Sequence, residues 1–226
     1  MLDRPFAGDK KLPMTSLLAK PERRFIDANI HRFPRWIEGW HLTLMTLLWS
    51  AGVVVFGYLS RRNLHWLWAS SLMLFLQWFT DSFDGSLGRH RDTGIPKWGY
   101  YMDHLLDYVF AICLAIGYAF LVEGPAKYIP LLLAFVYGAL MTSSYLAFAA
   151  TNEFKITYMG IGPTETRLLF ILLNTLLIAF GAKWLERFLP YTLAVALIFS
   201  CVVVFRTQKY IWAIDMNDKK ARTKAE

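Results

Sequence analysis

Cysteine is almost missing from this chain: Cys113 and Cys201 are the only two in 226 residues, and both fall in apolar stretches. Two such residues build neither a disulfide framework nor a zinc site, so they read as packing residues. Charge is scarce as well, at 18% against 56% hydrophobic and 16% aromatic residues. That balance excludes an ordinary soluble globule and points to a membrane protein. Internal repeats and low-complexity tracts are also missing, so the fold is not a repeat array. No cleavable leader precedes the first apolar run, because the first 39 residues are polar or amphipathic; the first span itself is expected to direct insertion.

What is present is a series of apolar stretches of the length a membrane helix needs, about 20 residues. They cover residues 40–59, 65–80, 99–122, 128–150, 164–182 and 189–214. The expected fold is therefore an all-α integral membrane protein with six transmembrane helices. The second span is short and runs directly into a run of aspartates, so its end is the least sharply marked. Ahead of the first span, Phe25, Ile26, Ile30, Phe33 and Ile37 recur at three- and four-residue spacing, with Arg23, Arg24 and Arg32 elsewhere around the helix. This pattern predicts an N-terminal amphipathic interfacial helix, kinked or divided at Pro34 and flanked by interfacial Trp36 and Trp40. The layout separates a cytoplasmic N-terminal segment, 1–39, a transmembrane domain, 40–214, and a basic cytoplasmic tail, 215–226.

The net charge of +7 raises the question of nucleic acid, but the basic residues follow the loops instead. With a cytoplasmic N-terminus, 19 of the 24 Lys and Arg lie on the cytoplasmic side and five on the other. That is the positive-inside pattern, and it places both termini and the aspartate run in the cytoplasm. The same count leaves no role for nucleic acid. The outer loops are too short to form a domain, so the room for chemistry is cytoplasmic, where the basic tail can also meet anionic membrane lipids.

Just after the second span lie Asp81 and Asp84, three residues apart, and at the start of the third lie Asp103 and Asp107, four apart. Each pair shares one helix face, where like charges repel. A carboxylate in a membrane helix also costs about 2.5–3.5 kcal/mol at the bilayer centre, less near the interface. Packing alone gives no reason to bear either cost. Four carboxylates converging from two helix ends describe a site for hard divalent cations, Mg2+, Mn2+ or Ca2+. Two such ions would suit phosphoryl transfer. Gly85 and Gly88 would let a ligand approach the backbone, and Arg89 offers a planar fork for a diphosphate. The bland alternative is helix capping, which needs one acid and not four. Asp92 falls outside this pattern and reads as a solvated loop residue.

The stretch resembles the signature of the CDP-alcohol phosphotransferases, D-x2-D-G-x2-A-R-x8 or 9-G-x3-D-x3-D. Asp81, Asp84, Gly85, Arg89, Gly99, Asp103 and Asp107 match, and Gly88 stands where the family has alanine. The resemblance implies transfer of a substituted phosphate from a CDP-linked donor to an alcohol hydroxyl, with release of CMP, in phospholipid biosynthesis. It further implies that Asp81, Asp84, Asp103 and Asp107 hold two ions of Mg2+ or Mn2+, that Gly85, Gly88 and Arg89 contact the CDP moiety, and that Asp107 is a candidate base. A homodimer is what the family suggests.

His104 beside the third aspartate and the Thr164-Glu165 pair are similar to features of choline and ethanolamine phosphotransferases, which makes His104 with Glu165 a second candidate for the base. This tilts the expected donor towards CDP-ethanolamine or CDP-choline with diacylglycerol as acceptor; the alternative is CDP-diacylglycerol with a polar alcohol. Arg167, with Arg206 and Lys209, could hold a substrate phosphate, although snorkelling explains the last two equally well. Gly39 and Trp40 depart from the Pro-Asn that usually precedes the family's first helix. From other classes, a divalent-cation transporter or a noncatalytic scaffold competes, but transport expects midplane carboxylates and gives Gly85 and Arg89 no task.

Overall fold

In the computed structural model, residues 18–152 and 162–225 are described, so the expected leading segment up to residue 17, residues 153–161 and the last residue lie outside it. Helices run as α1 (Ala19–Asn29), α2 (Gly39–Ser60), α3 (Leu67–Arg91), α4 (Pro96–Ala119), α5 (Ile129–Thr151), α6 (Pro163–Phe180) and α7 (Lys183–Ala225). Short 3-10 turns at Ile30–Arg32, Leu64–Trp66 and Gly124–Tyr128 join some of them, and there is no strand among the described residues.

Among the described residues, five segments are long and apolar enough to cross a membrane: α2, α4, Gly124–Thr151, α6 and Lys183–Thr223. This makes the chain an all-α membrane protein. Helix α3 is not among the five, because Gln77, Asp81 and Asp84 interrupt its apolar residues. It nevertheless runs unbroken from Leu67 to Arg91, so Asp81 and Asp84 sit inside a helix and not beyond its end. The reason lies in packing: Phe83 and Leu87 on this extension are fully buried against Ile26, Ile30 and Leu42.

Helix α7 also exceeds the expected span of 189–214 at both ends. Its 43 residues correspond to about 65 Å at 1.5 Å per residue, twice the ~30 Å hydrocarbon core.

Local chemistry explains the breaks. Phe33 is extended, at φ −68° and ψ 134°, as a residue before proline must be, and the helical turn ends there ahead of Pro34. Asp92 adopts a left-handed conformation, φ 56°, and Thr93 N–H donates to the Gly88 carbonyl at 3.1 Å. Asp92 thus terminates α3, a role beyond that of a solvated loop residue.

Helix α2 packs closely on both α3 and α4, while α6 lies against α3, and α5 connects α4 to α7. The α2–α4 crossing depends on two glycines: a Cβ on Gly57 would come within 2.5 Å of Gly117 Cα. Small residues of this kind let membrane helices approach backbone to backbone. The main core gathers Val53, Leu67, Leu74, Phe110, Leu114, Tyr118 and Leu177.

Candidate active site

Asp81 on α3 faces Asp103 and Asp107, one turn apart on α4. Each offers a carboxylate oxygen, and these oxygens lie within 4.8 Å of one another. Three carboxylates at that separation repel strongly in a partly buried setting, and the arrangement fits a divalent cation with oxygen ligands. Asp84, one turn beyond Asp81 on α3, is not among these three. Its Oδ2 accepts a 2.7 Å hydrogen bond from Thr43 on α2, and its Oδ1 takes the Gly85 N–H. The neighbouring helix explains Gly39: a Cβ there would overlap the Asp84 carbonyl oxygen. Where this chain departs from Pro-Asn, the glycine lets α2 start against α3.

The balancing positive charge comes from α6. Arg167 Nη2 donates to Asp81 Oδ2 at 2.9 Å and lies 3.5 Å from Asp107 Oδ1. Arg167 Nε donates at 2.5 Å to Gln77 Oε1, and Gln77 Nε2 donates at 3.1 Å to Asp107 Oδ1. The expected phosphate-binding arginine is therefore joined to two of the carboxylates, whereas Arg206 and Lys209 are exposed on α7.

His104 Nδ1 lies 3.5 Å from Asp103 Oδ2. Its ring meets the edge of Tyr100 and stacks on Tyr145, with centroid distances of 4.6 and 5.6 Å. Glu165 faces elsewhere: Oε1 accepts from Leu18 N at 2.8 Å and Oε2 from Gly162 N at 3.0 Å, which caps α6. Gly85 is exposed, and the Arg89 guanidinium lies over it, donating to Ser86 Oγ at 3.3 Å. Gly88 is buried, and a Cβ there would sit 3.0 Å from Gly94 Cα, so its small size serves the turn between α3 and α4.

Several residues around the site carry no sequence signal of their own. Glu22 on α1 accepts from Trp78 Nε1 at 3.2 Å, Ser82 Oγ at 2.7 Å and Thr164 Oγ1 at 2.8 Å, tying α1 to α3 and α6. Arg91 donates to the carbonyls of Phe33 at 2.8 Å and Pro34 at 3.1 Å, and to that of Ile37, pinning the strap before α2 to the end of α3. A cavity of about 330 Å³ lies between α1, α3 and α6, lined by Phe25, Leu74, Trp78, Leu168 and Ile171 and reaching Glu22 and Arg167. Only the sequence separations, 56 to 142 residues for Glu22, hid these contacts.

Helices that cross the membrane and a carboxylate cluster at the meeting of α3 and α4 define a multi-pass membrane protein with a candidate metal centre. A family model, CDP-alcohol phosphatidyltransferase, matches residues 41–206, and the chain belongs to that family. The family transfers phosphate groups from CDP-alcohols in lipid synthesis and depends on divalent metal for catalysis, which makes this chain an integral membrane transferase. A comparison with curated proteins gives no match. Membership leaves the cation-transporter reading without a supporting observation.

Proposed function

We propose that this protein transfers a substituted phosphate from CDP-ethanolamine, CDP-choline or a similar donor to the hydroxyl of diacylglycerol, releasing CMP. The observation that carries the transfer reaction is the trio Asp81, Asp103 and Asp107, with oxygens within 4.8 Å, inside a chain of this family, and the choice of donor rests on His104 beside Asp103. In the proposal Asp81, Asp84, Asp103 and Asp107 hold two ions of Mg2+ or Mn2+, which supply neutralisation of the diphosphate and of the attacking oxygen. Asp84 joins the trio from the side, oriented by Thr43.

The chain's own residues then divide the remaining work. Gly85 keeps the backbone of α3 open to the CDP moiety, Gly88 lets the α3–α4 turn close beside it, and Arg89 offers its guanidinium fork to the diphosphate. His104, oriented by the Asp103 carboxylate at 3.5 Å, takes the proton of the acceptor hydroxyl. Asp107 is the weaker candidate, because a carboxylate that ligates metal is a poor base. Glu165 contributes through the Leu18 and Gly162 backbone that it holds. Arg167 balances charge and faces the substrate phosphate from α6.

The proposal includes α3 as a sixth span, α1 as an amphipathic helix at the interface, cytoplasmic termini and site, and a homodimer. The test is CMP release by the purified protein, given radiolabelled CDP-ethanolamine, CDP-choline or CDP-diacylglycerol with Mg2+ or Mn2+ and a panel of acceptors. Release from the first two with diacylglycerol is the expected result. Release from CDP-diacylglycerol alone would move the reading to phosphatidyl transfer, and release from none would end it.

A further inference from the structure

Gln77 is fully buried, one helical turn before Asp81 on α3. Its amide has one chemically consistent orientation. A guanidinium only donates and a carboxylate only accepts, so Oε1 faces Arg167 Nε at 2.5 Å and Nε2 faces Asp107 Oδ1 at 3.1 Å. Arg167 Nη2 closes the ring, at 2.9 Å from Asp81 Oδ2 and 3.5 Å from Asp107 Oδ1. Three helices, α3, α4 and α6, are thus joined through one side chain that carries no charge.

A buried amide is costly unless both halves are bonded, and the neighbouring Leu74 and Trp78 show that this stretch of α3 otherwise uses apolar side chains. Neutrality is what the position requires. A glutamate would set a fourth carboxylate against Asp107, and a lysine or arginine would compete with Arg167. An apolar residue would leave the Arg167 Nε–H without its acceptor and Asp107 Oδ1 without the amide donor.

We propose that Gln77 is a positioning residue of the active site. It fixes the rotation of the Asp107 carboxylate by occupying Oδ1, leaves Oδ2 outside the ring, and holds the Arg167 guanidinium so that Nη2 stays on Asp81. This inference rests on reading the aspartate trio as the metal centre of the transferase. Outer-shell partners of metal ligands act in this way, and their removal changes metal affinity or activity by about 10–100-fold.

The experiment compares the full-length wild type with Gln77→Met, which keeps the length and loses both hydrogen bonds. Mn2+ affinity is read from free Mn2+ by electron paramagnetic resonance, and kcat and KM for the CDP donor from CMP release. The expected result is Mn2+ binding weakened about tenfold or more, with kcat falling by a similar factor and KM little changed. Mn2+ affinity and kcat both within about twofold of wild type would overturn the role.

Should Gln77→Met fail to give a monodisperse helical protein, Gln77→Glu replaces it, since it keeps the acceptor for Arg167 Nε and removes the donor to Asp107. Its kcat is expected to fall about tenfold or more, and a kcat near wild type would overturn the proposal. Wild type that binds Mn2+ but releases no CMP overturns the transferase reading alone, and the Mn2+ comparison still decides the role of Gln77. Wild type that binds no Mn2+ overturns the role of Gln77, and the transferase reading then stands or falls on CMP release with Mg2+.

Discussion

Helices α2, α3, α4 and α6 and the pair α5 and α7 all carry long apolar runs, yet they differ in the side-chain hydrogen bonds that cross from one helix to another. In the inner four, side chains bond across helices: Thr43 to Asp84, Trp49 to Thr80, Gln77 to Asp107, Arg167 to Asp81, and Asn174 to Ser71. On the outer pair, hydroxyls such as Thr142 and Thr192 turn back to the carbonyl four residues earlier on their own helix. Large apolar side chains there, including Phe135, Val195 and Ile198, are about two-thirds exposed. Lipid tails are as apolar as these side chains, so the outer pair can meet the bilayer without special chemistry. Hydropathy finds α2, α4, α5, α6 and α7 alike and passes over α3, so it is the reach of polar side chains across helices that marks out the group holding the carboxylate cluster.

The sharpest way to break this contrast is at the trio. Asp103→Asn is expected to lower CMP release by about a thousandfold, the scale of several kcal/mol of lost charge stabilisation, and to weaken Mn2+ binding in the same sample. Retained turnover would remove the inner four from the chemistry.

Next in size is Arg167→Ala. It strips the cation from Asp81 and Asp107 and leaves Gln77 Oε1 without its donor. Breaking a buried pair of this kind costs about 3–5 kcal/mol, to be read as a lowered midpoint of thermal unfolding in detergent. Arg167→Lys is expected to recover little, because an ammonium cannot copy the fork.

Glu22→Ala is expected to act more locally. Three donors lose their shared acceptor, and the opening free energy of α1 falls by about 1.5–3 kcal/mol. Amide hydrogen exchange across residues 22–29 would speed up about tenfold or more, while α5 stays unchanged. Uniform acceleration along the chain would mean that α1 is not a separately held element.

The smallest effect belongs to the outer pair. Ile198→Ala is expected to shift stability by no more than about 0.5 kcal/mol, since lipid replaces the lost contacts. A loss larger than that of Glu22→Ala would show α7 buried against protein, and the distinction between the two groups would fail.

Some of this was legible in the sequence because it depends on neighbours one turn apart. Aspartates at i, i+3 and i, i+4 declare a helical face, and Pro34 declares a break. The extension of α3 to Arg91 was not legible, because hydropathy weighs Asp81 and Asp84 as an ending while Phe83 and Leu87 pack between them and beyond. Gln77 lies in an apolar run with nothing to mark it; its partners are 30 and 90 residues away. Glu165 illustrates the converse. Its place beside Thr164 at a helix start marks it in the sequence, whereas its hydrogen bonds to the Leu18 and Gly162 N–H groups, the first 147 residues away, could only be seen in the fold.

On the proposed reading, this chain cleaves a CDP-linked donor at a metal centre formed by Asp81, Asp84, Asp103 and Asp107. The most direct measurement is CMP release by the purified wild type from CDP-ethanolamine or CDP-choline with diacylglycerol, before and after removal of divalent metal with a chelator. The account predicts release that stops on chelation and returns when Mn2+ or Mg2+ is restored. Release that continues undiminished in the metal-free sample would contradict it.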